Sequence, residues 1–291
     1  MRITGNRMID VAATTNASNQ AKAAAAANEA SSGMRVTKPS DDPEAWAAAQ
    51  RASAKQTLSS GTSNALQVGR ERLDVTDGAL GTIGDALSAM RELAIQGSNA
   101  SYGATDRAGL AVQVRALMAS AVGAANSKTA DGEFVLAGSL SLTTPFGANG
   151  AYAGDSTSRD LAITERDIAG ASITGGALTA SSGVDVLPLF DRIASALESN
   201  DPAALQSLLG DLDSAVKQVG LARSRVGGTM NVLDAAISAH KDLDLHLSTE
   251  ISRAVEADVV AAATNLAKTT QALEASRAIT SHIVALVDPT K

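Results

Sequence analysis

At 291 residues, 45% of them apolar, the chain is long enough for one large or two modest domains with a real core. One Trp, two Tyr and three Phe leave that core to Ala, Leu, Val and Ile, which suit narrow helix contacts. A net charge of −7 without any long basic run argues against nucleic acid as a partner, and the lack of cysteine excludes thiolate metal sites, disulfides and cysteine catalysis.

The N-terminus, MRITGNRMIDVAATTNASNQ, has neither an uninterrupted apolar stretch nor a small-residue cleavage site, so no cleaved secretory signal is expected. No window approaches the roughly 20 consecutive apolar residues of a membrane span, so no membrane insertion is expected. Residues 3 to 32 favour helix through the run Ala21 to Ala27, yet their apolar face is weak and the segment is marginal alone. Gly33 reads as a helix stop. In the following MRVTKPSDDPEAW, Asp42 can cap a new helix, Pro43 suits its first position and Glu44 favours the positive end of its dipole.

From about Pro43 to Gln96, Leu66, Leu73, Leu80, Leu87 and Ala94 recur every seven residues, with Ile83 and Met90 at the intermediate step. This predicts one long helix, with Gly61, Gly69, Gly78, Gly81 and Gly84 as weak points. GSNASYGATD is a turn, and Leu110, Val114, Leu117, Ala121 and Ala124 mark a further helix. The helical register ends at Lys128. Residues 129 to 185 hold short apolar runs, FVLAG, LAIT and ASIT, between glycines and Ser/Thr clusters, which predicts strands and hairpins in a small β-rich insert.

Helix returns near Val186 and pauses at SNDP, where Asp201 and Pro202 repeat the cap-then-proline device. Leu205, Leu209, Leu212, Val216, Val219, Arg223, Val226, Met230, Leu233, Ile237, His240, Asp244, Leu247 and Ile251 then alternate steps of four and three, and all but Arg223, His240 and Asp244 are apolar. Such a stripe needs another helix to cover it. Gly227 and Gly228 interrupt the tract, and past Ile251 successive fours through Val255 and Val259 read as a stutter. The pattern resumes at Ala262, Leu266, Thr269, Leu273, Ser276, Thr280, Ile283 and Val287, and Pro289 ends it.

The fold class is therefore mainly α: a long antiparallel helical bundle or coiled coil formed by the N- and C-terminal arms, with a small β-rich inserted domain. Residues 1–40 form a terminal-helix segment expected to be disordered in the monomer, 41–128 and 186–255 the bundle core, 129–185 the insert and 256–291 the C-terminal helix.

Catalytic constellations are absent from the pattern. His240 and His246 lie six apart and turn away from one another, His282 is distant, and no GxSxG, GxxxxGK[ST] or GxGxxG occurs. Asp41 and Asp42 read as caps before a metal pair. Arg223 and Asp244 within the seam either specify register or open it locally. No enzyme activity, cofactor or metal is expected.

SSGMRVTKPSDDPEA (31 to 45), MRELAIQGSN (90 to 99), the spaced Ala125, Asn126, Gly132, Phe134, Leu136, Ala137 and Gly138, the stretch TPFGANGAYAGD, and VEADVVAAATNLAKTTQALEAS near the C-terminus together carry a resemblance. The chain resembles, over nearly its whole length, bacterial flagellar hook-filament junction proteins of the flagellin-related type. Flagellin is similar through the same helices but tends to lack the prolines seen here as Pro39 and Pro43. The chain departs from the family pattern in ALVDPTK and in a first helix poorer in Gln and Leu.

The resemblance implies an exported, extracellular axial adaptor that joins hook to filament, with copies of itself in a ring, the other hook-filament junction protein and flagellin as partners, and an export chaperone at the C-terminal helix. Subunit contacts are expected at Arg35, Asp41, Asp42, Arg91, Glu92 and Leu93, and inner packing at Leu266, Leu273, Ile283 and Val287. Alternative readings are a flagellin or a coiled-coil cell-surface adhesin.

Overall fold

The computed structural model describes residues 2–163, 168–170 and 172–287. These residues form six α-helices, α1 (Arg2–Ser32), α2 (Pro43–Ser98), α3 (Ala104–Ala125), α4 (Val186–Glu198), α5 (Pro202–Val255) and α6 (Val259–Val287), and one antiparallel hairpin of β1 (Asp160–Ala162) and β2 (Ile168–Gly170). Two compact units result, one from Met1–Leu58 with Leu243–Lys291 and the other from Ser59–Asp242, and their division falls inside α2 and α5. The helix breaks fall at 33–42 and 256–258.

In the Ser59–Asp242 unit, α2 and α5 are antiparallel. Arg70 donates to Asp234 at 3.1 Å, Arg223 to Asp77 at 3.0 Å and Arg91 to Asp213 at 2.9 Å, so rising numbers on α2 meet falling numbers on α5. The predicted α2 stripe is the core: Leu66, Leu73, Leu80, Ile83, Leu87, Met90 and Ala94 are all buried. Neither α2 nor α5 breaks at its glycines. Gly81 and Gly84 instead face α5, where an added Cβ would lie 3.7 Å from the Arg223 guanidinium and 3.8 Å from Val219.

The α5 seam departs from the expected pattern over its first half. Its buried row is Leu205, Leu208, Leu212, Ala215, Val219, Ala222 and Val226, whereas Leu209 and Val216 are half-buried and Arg223 is exposed. The intermediate positions sit one residue earlier than the apolar count suggested. Small Ala215 and Ala222 fit the close contact, and the bulkier Leu209 and Val216 flank it. The expected register holds again at Leu233, Ile237 and Leu247. The stutter past Ile251 is a true break, because Asp258 caps α6 by accepting from the N–H groups of Val260 and Ala261 at 2.9 and 3.1 Å.

Helix α3 packs on α4, whose Val186, Leu187, Leu189, Phe190, Ile193, Ala194 and Leu197 are fully buried. Among the described residues α3 alone is long and apolar enough to cross a membrane; its Leu110, Ala111, Val114, Ala121 and Ala125 face the core. Arg107 is buried and joins two turns. Its guanidinium donates to Gly97 O at 2.7 Å in the last turn of α2, to Asn99 O at 2.9 Å just beyond that helix, and to the Asn200 side chain beyond α4.

The expected β-rich insert is not what forms. Among the described residues of 129–185, the hairpin has three-residue strands, with isolated bridges joining Lys128 to Phe134 and Phe146 to Tyr152 and 3₁₀ turns at Gly175–Leu178 and Ala180–Ser182. FVLAG fails as a strand because Phe134, Val135, Leu136, Ala137 and Gly138 are buried in succession, so the run enters the helical core without alternating faces. LAIT begins β1, but Thr164 and Ala171, in LAIT and ASIT, lie outside the described residues.

Side chains on main-chain atoms seat the insert. Asn126 exchanges two bonds with the Phe146 backbone at 2.9 and 3.0 Å, Gln218 donates to Ala177 O, Thr179 O and Val184 O and accepts from Val184 N, and Arg72 donates to Phe134 O at 2.6 Å. Glu133 sits between Arg159 and Arg72, at 2.8 and 2.9 Å, and these bonds hold its carboxyl below the usual carboxylate range. Burial, together with the nearby Arg159 charge, lowers the Arg72 pKa. His240 bonds Ser59 through Nδ1 and Ile163 O through Nε2, each at 3.0 Å, so this seam histidine ties the hairpin to the helices.

Gly97 lies where α2, α3, α4 and α5 converge. A Cβ there would come within 2.3 Å of Leu197 and 3.3 Å of Leu205, both fully buried. Gly97→Ala should therefore destabilise the chain by about 1–3 kcal/mol through overpacking, read as a lower denaturation midpoint with an unchanged slope.

Candidate assembly interface

In the unit built from Met1–Leu58 and Leu243–Lys291, α1 and α6 pack along one another. The ends of the polypeptide thus pair, as the two arms demanded. On α1 the inward row is Ile9, Ala12, Asn16, Asn19, Ala23 and Ala26; on α6 it is Ala262, Leu266, Thr269, Leu273, Ser276, Thr280 and Ile283. Steps of three and four keep each row on one face. Both rows are short of large apolar groups. Alanine gives α1 its helix propensity and brings the backbones together, but it removes little surface from water.

Much of the apolar material on these helices faces outward. Met8 is 61% exposed, Val11 59%, Val260 76% and Ile279 60%. An open groove of about 730 Å³ runs beside the pair, with Met8, Val11 and Thr15 on one wall and Ala275, Ile279 and Ile283 on the other. Continuous apolar surface of this kind marks an interaction face. Charge points to the same unit: its sequence holds 11 Lys and Arg against 11 Asp and Glu, so the entire excess of −7 falls within Ser59–Asp242.

A joint closes this unit where both chain breaks meet. Gly33 ends α1 with φ +69°, a left-handed turn that glycine adopts without strain, and its N–H bonds Glu29 O at 2.9 Å. The following residues lie against the break between α5 and α6. Arg35 N and Val36 N donate to Val255 O at 2.8 and 3.2 Å, and Ala257 N donates to Gly33 O at 2.8 Å. The Arg35 guanidinium reaches Ala254 O at 2.9 Å and Asp42 at 3.0 Å. Asp42 also caps α2 by accepting from Ala45 N at 3.0 Å, while Asp41 gathers Thr37 N, the Thr37 hydroxyl and Lys38 N at 3.0–3.2 Å.

Of the residues expected at subunit contacts, Arg35, Asp41 and Asp42 are thus engaged within the chain, and Arg91 pairs with Asp213. Glu92 is exposed and Leu93 half-buried, beside a shallow depression shared with Gln113 and Leu117. Leu266, Leu273 and Ile283 lie half-buried on the α6 row facing α1; Val287 closes α6, its side chain outside the described residues, as is Pro289. The sequence reading missed the α1 row, whose Asn16 and Asn19 look like ordinary surface residues, and the strap at 34–36, signalled only by Gly33 and by the spacing change after Val255. Among the described residues no His, Asp and Glu side chains gather as metal ligands would.

Comparisons with known proteins match this architecture. Residues 3–141 fit the model of the bacterial flagellin N-terminal helical region and 209–286 that of the C-terminal helical region. Flagellar hook-associated protein 3 of Escherichia coli is 26% identical over 270 residues, covering 84% of this chain and 85% of that protein; that of Salmonella typhimurium is 25% identical, covering 89% of each. Flagellin FlaB1 of Treponema pallidum is 28% identical over 208 residues, 71% of this chain and 69% of that one. Among solved structures, a putative flagellar hook-associated protein from Vibrio parahaemolyticus superposes with TM-score 0.68 at 22% identity, covering 74% of this chain and all of its own. The flagellar junction protein from Legionella pneumophila gives 0.54 at 20% identity, covering 64% and 99%.

Bonds to the Thr37 backbone first, then to its hydroxyl and Lys38, lower the Asp41 pKa; bonds from Ala45 N and Arg35 lower that of Asp42. A carboxylate depressed on folding stabilises the joint at pH values above its unfolded pKa of about 4, and that contribution disappears as pH falls through the folded value. The Thr37 and Lys38 amide resonances should accordingly stay constant from pH 7 down to about 5 and move only below about 4. In Asp41→Asn the titration should vanish.

Proposed function

We propose how assembly proceeds for a chain that belongs to the flagellin family, in its hook-associated protein 3 branch, and that serves as a structural component of the bacterial flagellum at the junction of hook and filament. The chain leaves the cell through the flagellar export channel and takes its place outside as one copy in a ring. One side of the ring meets the other junction protein and the opposite side meets flagellin. Before export a chaperone covers α6. In the free monomer residues 1–40 and α6 are marginal, and they become fully ordered when neighbouring copies cover them.

One observation carries this reading. The rows of α1 and α6 offer each other mostly Ala, Asn, Ser and Thr, while Met8, Val11, Val260 and Ile279 face solvent on the same helices. A pair so built gains more by adding helices than by standing alone. Leu266, Leu273, Ile283 and Val287 then serve the inner packing, and Arg91, Glu92 and Leu93 an outer contact between bundle cores. The electroneutral terminal unit suits a crowded axis, and the −7 of Ser59–Asp242 suits the solvated outside.

Deleting residues 260–291 should abolish incorporation into flagella and motility in cells lacking the full-length protein; normal filaments containing the truncated chain would refute the role. Similarity to Treponema flagellin keeps a filament subunit as the competing reading. The purified chain should remain monomeric over a concentration series by light scattering, whereas long fibres of this chain alone would identify a filament subunit.

A further inference from the structure

We infer that Asn16 fixes the axial register in which a helix from a second copy of this chain joins the α1–α6 pair, an inference that rests on the assembly role proposed above. Asn16 belongs to the inward row of α1, and its Oδ1 is buried without a hydrogen-bond partner. A buried orphan of this kind destabilises the pair that contains it.

No side chain of the facing helix bonds the Asn16 Oδ1. Thr280 returns its hydroxyl to Ser276 O at 2.8 Å, and Thr269 returns its own to Asn265 O and Leu266 O at 2.8 and 3.0 Å. The inward threonines of α6 are therefore satisfied by their own backbone. Thr15 and Asn19, on either side of Asn16 along α1, line the open groove, so a helix laid there comes beside the unanswered amide.

The occupant is a second copy because charge leaves these helices as the place where copies can approach. Each copy carries its excess of −7 in Ser59–Asp242, so those units repel, while α1 and α6 are sparsely and evenly charged. Their Ala, Ser and Thr faces also allow a further helix of the same kind to come close. A lone polar residue at a seam position selects the register in which it finds a partner and penalises every other.

Asn16→Leu in the full chain separates these effects. In the isolated protein it should slow hydrogen exchange of α1 amides by about tenfold, since an enclosed orphan is replaced by apolar packing. Incorporation at hook ends should fall by about tenfold or more, and Asn16→Ser, which keeps a polar group, should recover most of it. Unchanged or faster exchange in Asn16→Leu would overturn the inference, as would incorporation equal to wild type. If Asn16→Leu assembles normally while deletion of 260–291 still fails, only the register role falls. If the deletion also assembles, the junction reading falls with it.

Discussion

The pairing of α1 with α6 through small side chains is the constraint on which the rest of the architecture depends. Closeness and burial usually rise together in helix packing, but here they separate. Ala12, Ala23 and Ala26 let the backbones approach, while Asn16, Asn19, Thr269 and Ser276 occupy places that a self-sufficient coiled coil would give to leucine. The contrast inside the same chain is sharp. In the Ser59–Asp242 unit, Leu66, Leu73, Leu80 and Leu87 meet a core completed by Phe190, Ile193 and Leu197. Large buried side chains are thus concentrated in one unit and sparse in the other.

Between the marginal helices and the rest of their unit lies a joint made mostly of main-chain bonds. Gly33, Arg35 and Val36 bond the backbone at Val255 and Ala257, so the two chain breaks are fastened together. The end of α1 and the start of α6 are thereby held to one another. Asp41 and Asp42 serve local ends, one closing the loop and the other starting α2 while holding Arg35. The motif that carried the family resemblance is therefore, first of all, a structural fastening.

Much of this was legible in the amino-acid order because long helices repeat their geometry many times. The sevenfold leucines of α2, the caps Asp42 and Asp201, and the α6 row from Ala262 to Ile283 all stand where period and capping rules put them. The one-residue error at alternate seam positions of α5 arose because a strict four-then-three count picks Leu209 over Leu208 and overlooks Ala215 and Ala222, although close contact favours alanine. The insert was misread for a related reason. FVLAG has the composition of a strand, but only tertiary contacts decide whether such a run pairs or plunges into a core. Arg72 and Arg107, buried and bound to carbonyls, left no trace in any local pattern.

The seating of the insert has a further consequence. Asn126, Gln218, Arg72 and His240 grip carbonyls and amides, groups that every amino acid presents alike. The gripping residues belong to the helical scaffold or its edge, and what they grip is indifferent to side-chain identity. Outward positions between the anchors, such as Leu142, Ala148 and Thr157, are accordingly free to drift over generations without loosening the attachment. The exposed face of the insert can change while the architecture beneath it stands still.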